Sequence, residues 1–146
     1  MEKILLLLQL AATLFLTGVI WVVQLVQYPF FAYINPASFP KYHDDYRFWI
    51  TPIVAPPMII ELITAVILVF YPPQNIDSKL IWLALVLTVI VWASTFFLQV
   101  PLHEKLAAGF EANAHSALVR TNWLRTAAWS LRSLLVLYFA WQVFRF

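Results

Sequence analysis

Residues Leu80 to Val100 have the sequence LIWLALVLTVIVWASTFFLQV, 21 residues without a charged side chain. About 20 apolar residues in a helix span the hydrocarbon layer of a bilayer, so this stretch predicts a transmembrane helix. Three further apolar stretches give four predicted spans in all, at about residues 4–26, 50–71, 80–100 and 126–144. We therefore predict an all-α fold, a polytopic four-helix membrane bundle that forms one domain over residues 1–146.

The composition also indicates a membrane protein. Of the 146 residues, 63% are hydrophobic and 11% are charged, and the net charge is +2. Soluble domains carry about 25% charged residues, so these few charges would not keep the chain soluble as a monomer. The small net charge argues against nucleic acid as a partner, and the absence of cysteine excludes disulfides and thiolate metal sites. We expect membrane lipids and a lipophilic small molecule as partners, and an oligomer remains open.

The connections between the predicted spans differ in length. The segment 72–79 is short, whereas 28–49 and 101–125 are long, so both long loops lie on the same side of the membrane. Pro40 suits the first turn of a helix, and Gly109 suits the end of one, which predicts helical extensions on the long-loop side. Pro56 and Pro57 should kink or break the second span.

The distribution of Lys and Arg predicts an orientation. The side opposite the long loops carries Lys3, Lys79 and Arg145. Basic residues are enriched in cytoplasmic loops, so the larger number on the other side favours cytoplasmic long loops in a bacterial inner membrane. Those on the long-loop side are Lys41, Arg47, Lys105, Arg120 and Arg125, with Arg132 just inside the span.

Polar side chains inside a bilayer are expensive and need partners. Most of those in this chain lie in the half of the membrane nearest the long loops. Thr95, Gln99 and His103 follow at intervals of four and form one helical stripe. Together with Gln27, they predict a polar cavity between the helices that opens toward the long loops. On the fourth helix an arc of about 100° holds His115, Asn122, Arg125, Trp129 and Arg132.

Glu61 and Arg132 are a predicted pair of opposite charges inside the membrane. The axial rise of a helix puts them within reach of each other below the long-loop boundary. Two interpretations remain open. The carboxylate could relay protons or polarise a ligand, or the two charges could only neutralise each other and fix the helix register.

The three histidines, His43, His103 and His115, all lie on the long-loop side. Imidazole is a common ligand of metals and haem, so the three are candidate metal ligands. No HxxxH, ExxH or HExxH motif is present to support that interpretation. The alternative is that these side chains cap loop carbonyls at the membrane interface. The cofactor is therefore open between none and a histidine-ligated metal or haem.

Five short motifs are spread along the chain: Gln27-Tyr28-Pro29-Phe30, Phe39 through Tyr42-His43, Pro56-Pro57-Met58 with Glu61, Val100-Pro101-Leu102-His103, and Asn122-Trp123-Leu124-Arg125-Thr126. Together they resemble a family of small four-helix bacterial membrane proteins, the anthrone oxygenase-like group. The resemblance implies a four-helix fold and an oxidation of polycyclic anthrones to quinones by dioxygen, without a cofactor. The family often carries Asn where this chain has His103, a difference that favours the metal alternative.

Three functions follow as hypotheses. The first is an oxidoreductase or oxygenase-like protein that takes a flat aromatic or quinone-type molecule from the bilayer. His103 or His43 would act as the base, Arg125 and Asn122 would stabilise the resulting oxyanion, and Glu61 is a further catalytic candidate. The second is a metal- or haem-binding membrane protein, and the third a non-enzymatic subunit or scaffold. The candidate ligand-binding residues are Gln27, Gln99, His115, Asn122, Trp129 and Arg132.

Overall fold

The computed structural model describes residues 2–144, and it contains four helices. Each helix is long and apolar enough to cross a membrane, and none of the described residues forms a strand. The all-α four-helix bundle is therefore confirmed, and it is compatible with an integral membrane protein. Arg145, one of the residues used for the predicted orientation, lies outside the described part. The helices are α1 (Glu2–Tyr33), α2 (Phe39–Phe70), α3 (Ser78–Ala107) and α4 (Ala112–Phe144).

The helices pack as a ring in which α1 contacts α2 and α4, and α3 also contacts α2 and α4. Short connections join neighbours, so the helices alternate in direction. Each helix extends past its predicted span on the long-loop side. The helix α2 begins at Phe39 with Pro40 in its first turn, as the sequence predicts. It then continues as one helix through Pro52, Pro56 and Pro57, so the second span is not broken.

Two π-helical segments interrupt the α-helical geometry at matching places in α1 and α3. They are Val23–Gln27 and Thr95–Gln99. In each, the residue after the segment closes an i→i+5 hydrogen bond. The Tyr28 N–H donates to the Val23 carbonyl, and the Val100 N–H donates to the Thr95 carbonyl. A proline follows each segment two residues later, at positions 29 and 101. Proline has no N–H and its ring clashes with the carbonyl four residues back, so the wider π turn accommodates it.

The two ends of the bundle differ. The end that holds the start of α1 and the 71–77 turn is filled by an apolar cluster, and we call it the closed end. Asp77 caps α3 there, because its carboxylate accepts the Lys79 N–H at 2.9 Å. At the opposite end, Gly109 follows α3 with φ of 149°, a conformation that side chains rarely adopt. The cluster comprises Leu6, Leu68, Ile76, Ile81, Ala84 and Phe139.

Candidate functional site

A cavity of about 210 Å³ lies between the four helices, in the half of the bundle nearest the segments 34–38 and 108–111. All four helices contribute to its wall. The part toward the middle of the membrane is apolar, with Leu16, Ile20 and Met58 among its lining residues. At the loop end the lining becomes polar. The polar and charged side chains there include Tyr28, Tyr46, Arg47, Gln99, His103 and Arg125, and Thr51 and Thr95 also line the cavity.

A chain of three side chains leads away from the cavity. The Tyr28 hydroxyl and His103 Nε2 are 2.9 Å apart, and His103 Nδ1 and His43 Nε2 are also 2.9 Å apart. His43 is buried and stacks on Phe39, with ring centroids 5.5 Å apart. Either Tyr28 donates to His103 and His103 to His43, or the order of donors is reversed, because each imidazole has two tautomers. This hydrogen-bonded series of Tyr28, His103 and His43 is thus able to move a proton between the cavity and His43.

Two polar atoms of cavity-lining side chains have no hydrogen-bond partner among residues 2–144. They are Arg125 Nε, a donor, and Gln99 Oε1, an acceptor. Both side chains are more than nine-tenths buried, with Gln99 1% and Arg125 8% exposed. Buried polar groups are normally bonded, because an unmade bond costs about 1–3 kcal/mol. A ligand with one acceptor and one donor would satisfy both atoms.

Arg125 is the buried cation of the cavity. Within the described part of the chain it forms no salt bridge, and none of the described residues lining the cavity is acidic. Its guanidinium lies over the Trp129 ring, 5.2 Å from the centroid, and this contact offsets part of the cost of burying the charge. Because Arg47 also lines the cavity, the site favours a ligand that carries or develops negative charge.

Glu61 and Arg132 form the predicted ion pair, away from the cavity lining. Both side chains are fully buried, and Arg132 Nε donates to Glu61 Oε1 at 2.8 Å. Glu61 also accepts from Thr13 Oγ1 at 2.7 Å and from Trp129 Nε1 at 3.0 Å. Arg132 Nη1 donates to the Ala84 carbonyl. A carboxylate with three donors has little capacity left for a ligand, so this arrangement favours the structural interpretation.

The histidines are divided between two places. His43 and His103 contact each other, whereas His115 Nε2 donates to the Tyr28 carbonyl at 2.7 Å. In the described chain no group of three or more His, Cys, Asp or Glu side chains could hold a metal ion. The three predicted ligand candidates therefore do not converge on one point.

Three further candidates take other positions. Asn122 is buried away from the cavity, and its amide donates to Gln24 Oε1 at 2.9 Å. Gln27 lies at the surface between α1 and α2 and donates to the Tyr42 hydroxyl at 2.8 Å. Trp129, by contrast, lines the cavity and joins it to Glu61. Of the predicted site residues, Gln99, His103, Arg125 and Trp129 line the cavity.

Sequence reasoning missed Tyr28, Tyr46 and Arg47 as cavity residues. Tyr46 and Arg47 follow His43 at i+3 and i+4, which puts all three on one side of a helix, so helical spacing could have found them. Tyr28 stands next to Gln27 in a motif already noted, but the π segment before it changes the direction of its side chain relative to a regular helix. No periodicity argument would have placed it in the cavity.

No protein-family model matches this chain, and no curated protein or solved structure is significantly similar to it.

Proposed function

We propose that the chain is a membrane-embedded, oxygenase-like oxidoreductase that acts on a small lipophilic phenol or quinone-type molecule. The observation that supports this most is the cavity's unneutralised buried Arg125, which stands beside the Tyr28–His103–His43 chain. A cation that meets a proton acceptor in an apolar cavity is suited to ionising a weakly acidic aromatic molecule.

The volume of the cavity limits the size of the ring system that a substrate can have. A cavity of about 150 Å³ holds one benzene molecule, so a cavity of 210 Å³ fits one ring or two fused rings. Trp129 offers a flat wall, and Leu16 and Met58 offer apolar contacts. The proposed substrates are therefore smaller than the three-ring anthrones implied by the family resemblance.

For a phenol such as 1-naphthol the reaction has two parts. First His103 accepts the hydroxyl proton through the Tyr28 hydroxyl that is bonded to its Nε2, and the Arg125 guanidinium stabilises the resulting anion. The anion then reacts at the ring carbon para to its oxygen with dioxygen, the second substrate. One oxygen atom forms the new carbonyl of 1,4-naphthoquinone, and the other leaves as water with two hydrogens of the naphthol. The organic molecule loses four electrons and dioxygen gains four.

The test uses the purified chain in lipid nanodiscs with 1-naphthol as the probe. Binding is measured by the quenching of naphthol fluorescence, and turnover by oxygen uptake and quinone absorbance. A hydrogen bond to a charged group contributes about 1.5–3 kcal/mol, so R125Q should weaken binding by about 10- to 150-fold. H103Q should lower turnover by about 10²- to 10⁴-fold with a smaller effect on binding.

The matched control is R120Q, because Arg120 is an exposed arginine on the same helix. That variant should keep wild-type binding and turnover. The proposal is contradicted if the wild-type protein fails to bind 1-naphthol, or if R125Q and R120Q bind it equally well. Binding without oxygen uptake would contradict the oxygenase activity and leave a carrier or binding protein.

A further inference from the structure

An apolar furrow runs along the outer surface between α1 and α2 and adjoins the cavity. Its first section, of about 510 Å³, shares Val19, Val23, Tyr46 and Ile50 with the cavity lining. Its second section, of about 470 Å³, lies closer to the middle of the bundle and includes Ile60 in its wall. The two sections share Phe15 and Ile53, and together they form what we call the α1–α2 furrow.

The furrow follows the direction of the helices. It extends from Tyr46 to Ile60 along α2, which is about 21 Å at the helical rise of 1.5 Å per residue. An extended alkyl chain of ten carbons is shorter than this. The furrow is lined almost entirely by apolar side chains, apart from Gln27 and Tyr46 at its loop end. Its shape and chemistry therefore suit an apolar tail that lies parallel to the lipid chains.

Gly18 lies in the first section of the furrow. A β-carbon added at this position would meet no described atom within 4 Å, so the space above the glycine is free. Glycine inside a helix costs roughly 1 kcal/mol relative to alanine. Nothing in the packing of α1 requires glycine there, and the free space it leaves is the space a tail would use.

We propose that the ligand of this site is a tailed amphiphile, with its ring in the cavity and an apolar tail of about ten carbons or more in the α1–α2 furrow. The ring site is that of the proposed function, so this inference rests on it. Tyr46 stands where the ring and the tail join, because it lines both spaces. The furrow, rather than the identity of residue 18, then favours tailed over tail-free ligands, and it does so without touching the reacting atoms.

The experiment compares two probes, 1-naphthol and 1-naphthol with a ten-carbon alkyl chain, in nanodiscs of one composition. Affinities are expressed per mole of bilayer lipid, so the partitioning of the tail cancels between variants. In G18F the new ring fills the furrow, and the tailed probe should bind at least ten times more weakly than to the wild type. The tail-free probe should bind both proteins equally. G18A, which adds one methyl group into free space, should bind both probes as the wild type does.

A second variant, I53W, narrows the furrow from α2 and covers the case in which G18F does not fold. V89F is the matched control, since Val89 is an exposed apolar residue on α3. Equal loss of both probes in G18F and I53W, or no loss of the tailed probe in either folded variant, would overturn the furrow proposal. The second result would mean that the tail does not occupy the furrow. Failure of the wild type to bind 1-naphthol at all would instead refute the proposed function.

Discussion

Two arginines on α4, seven residues apart on one face, have opposite environments. Arg132 is neutralised by Glu61 and bonded to a backbone carbonyl, whereas Arg125 has no carboxylate partner in the described chain. The sequence placed both in the same interior arc, because helical spacing is a local property. The axial depths of Glu61 and Arg132 also predicted their pairing. The sequence could not show that Arg125 has no carboxylate beside it in the described chain, because that depends on how the other helices pack around it.

Removing one member of the Glu61–Arg132 pair should destabilise the fold strongly. In E61Q the buried guanidinium loses its counter-charge, and breaking such a pair costs about 3–5 kcal/mol. R132M should cost a similar amount, because it leaves the Glu61 carboxylate buried and unpaired. The free energy of unfolding in mixed micelles measures both.

The double variant E61L/R132M serves as the contrast. Well-packed apolar residues often replace a buried ion pair without loss, so the double variant should be more stable than either single one. K41A is the surface control, since the exposed Lys41–Asp45 pair has an N–O distance of 3.9 Å and such pairs contribute about 1 kcal/mol or less. Equal stability of E61Q and K41A would contradict a structural role for the buried pair.

At the scale of the helices, the sequence predicted the number, the order and most of the extent of the four elements. Long apolar runs and the proline and glycine signals at their ends carry that information. The π segments Val23–Gln27 and Thr95–Gln99 were not predicted. Their residues are as apolar as those around them, and only the following proline marks them. Since the first segment sets the direction of Tyr28, the place of that side chain in the cavity lining was also beyond prediction.

A π turn contains one residue more than the α turn it replaces, which makes a deletion test specific. Deleting Phe97 from the second π segment, together with P101A, should give a regular α-helix. The residues before and after the segment should keep the faces of α3 that they occupy now. Phe97 is 78% exposed, so little packing is lost, and we expect the melting temperature to change by only a few degrees.

The matched control deletes Val89, an exposed residue in the α-helical part of α3. That deletion rotates all later residues of the helix by about 100° and should abolish folding, as judged by size-exclusion chromatography. If the protein folded equally well with either deletion, the extra residue of the π segment would not be what allows α3 to lose a residue and keep its later side chains in register.

At the scale of the whole molecule, four alternating helices put both long-loop ends on one side of the membrane. The chain has no cysteine, so single cysteines can report on each side cleanly. Cysteines at Ala37 and Asn113 should react together in one compartment, and a cysteine at Asn75 in the other. A membrane-impermeant maleimide applied to intact cells measures this.

The predicted orientation specifies which of these cysteines the reagent should reach. With cytoplasmic long loops, only the Asn75 cysteine reacts from outside the cytoplasm. Labelling of the cysteines at positions 37 and 113 instead would show that the long loops face the opposite side, and it would still agree with four spans. Labelling of all three from one side would contradict four spans.

The closed end, filled by Leu6, Ile76 and Phe139 among others, makes the bundle asymmetric across the bilayer. The cavity and the polar side chains around it belong to the other half, and the furrow runs from that half past the middle to Leu8 of α1. A ligand of the kind proposed above would therefore reach the cavity from a single monolayer. Occupancy of the cavity by that ligand would then follow the composition of one leaflet, so moving the ligand between leaflets would load or empty the site without any change in its total concentration.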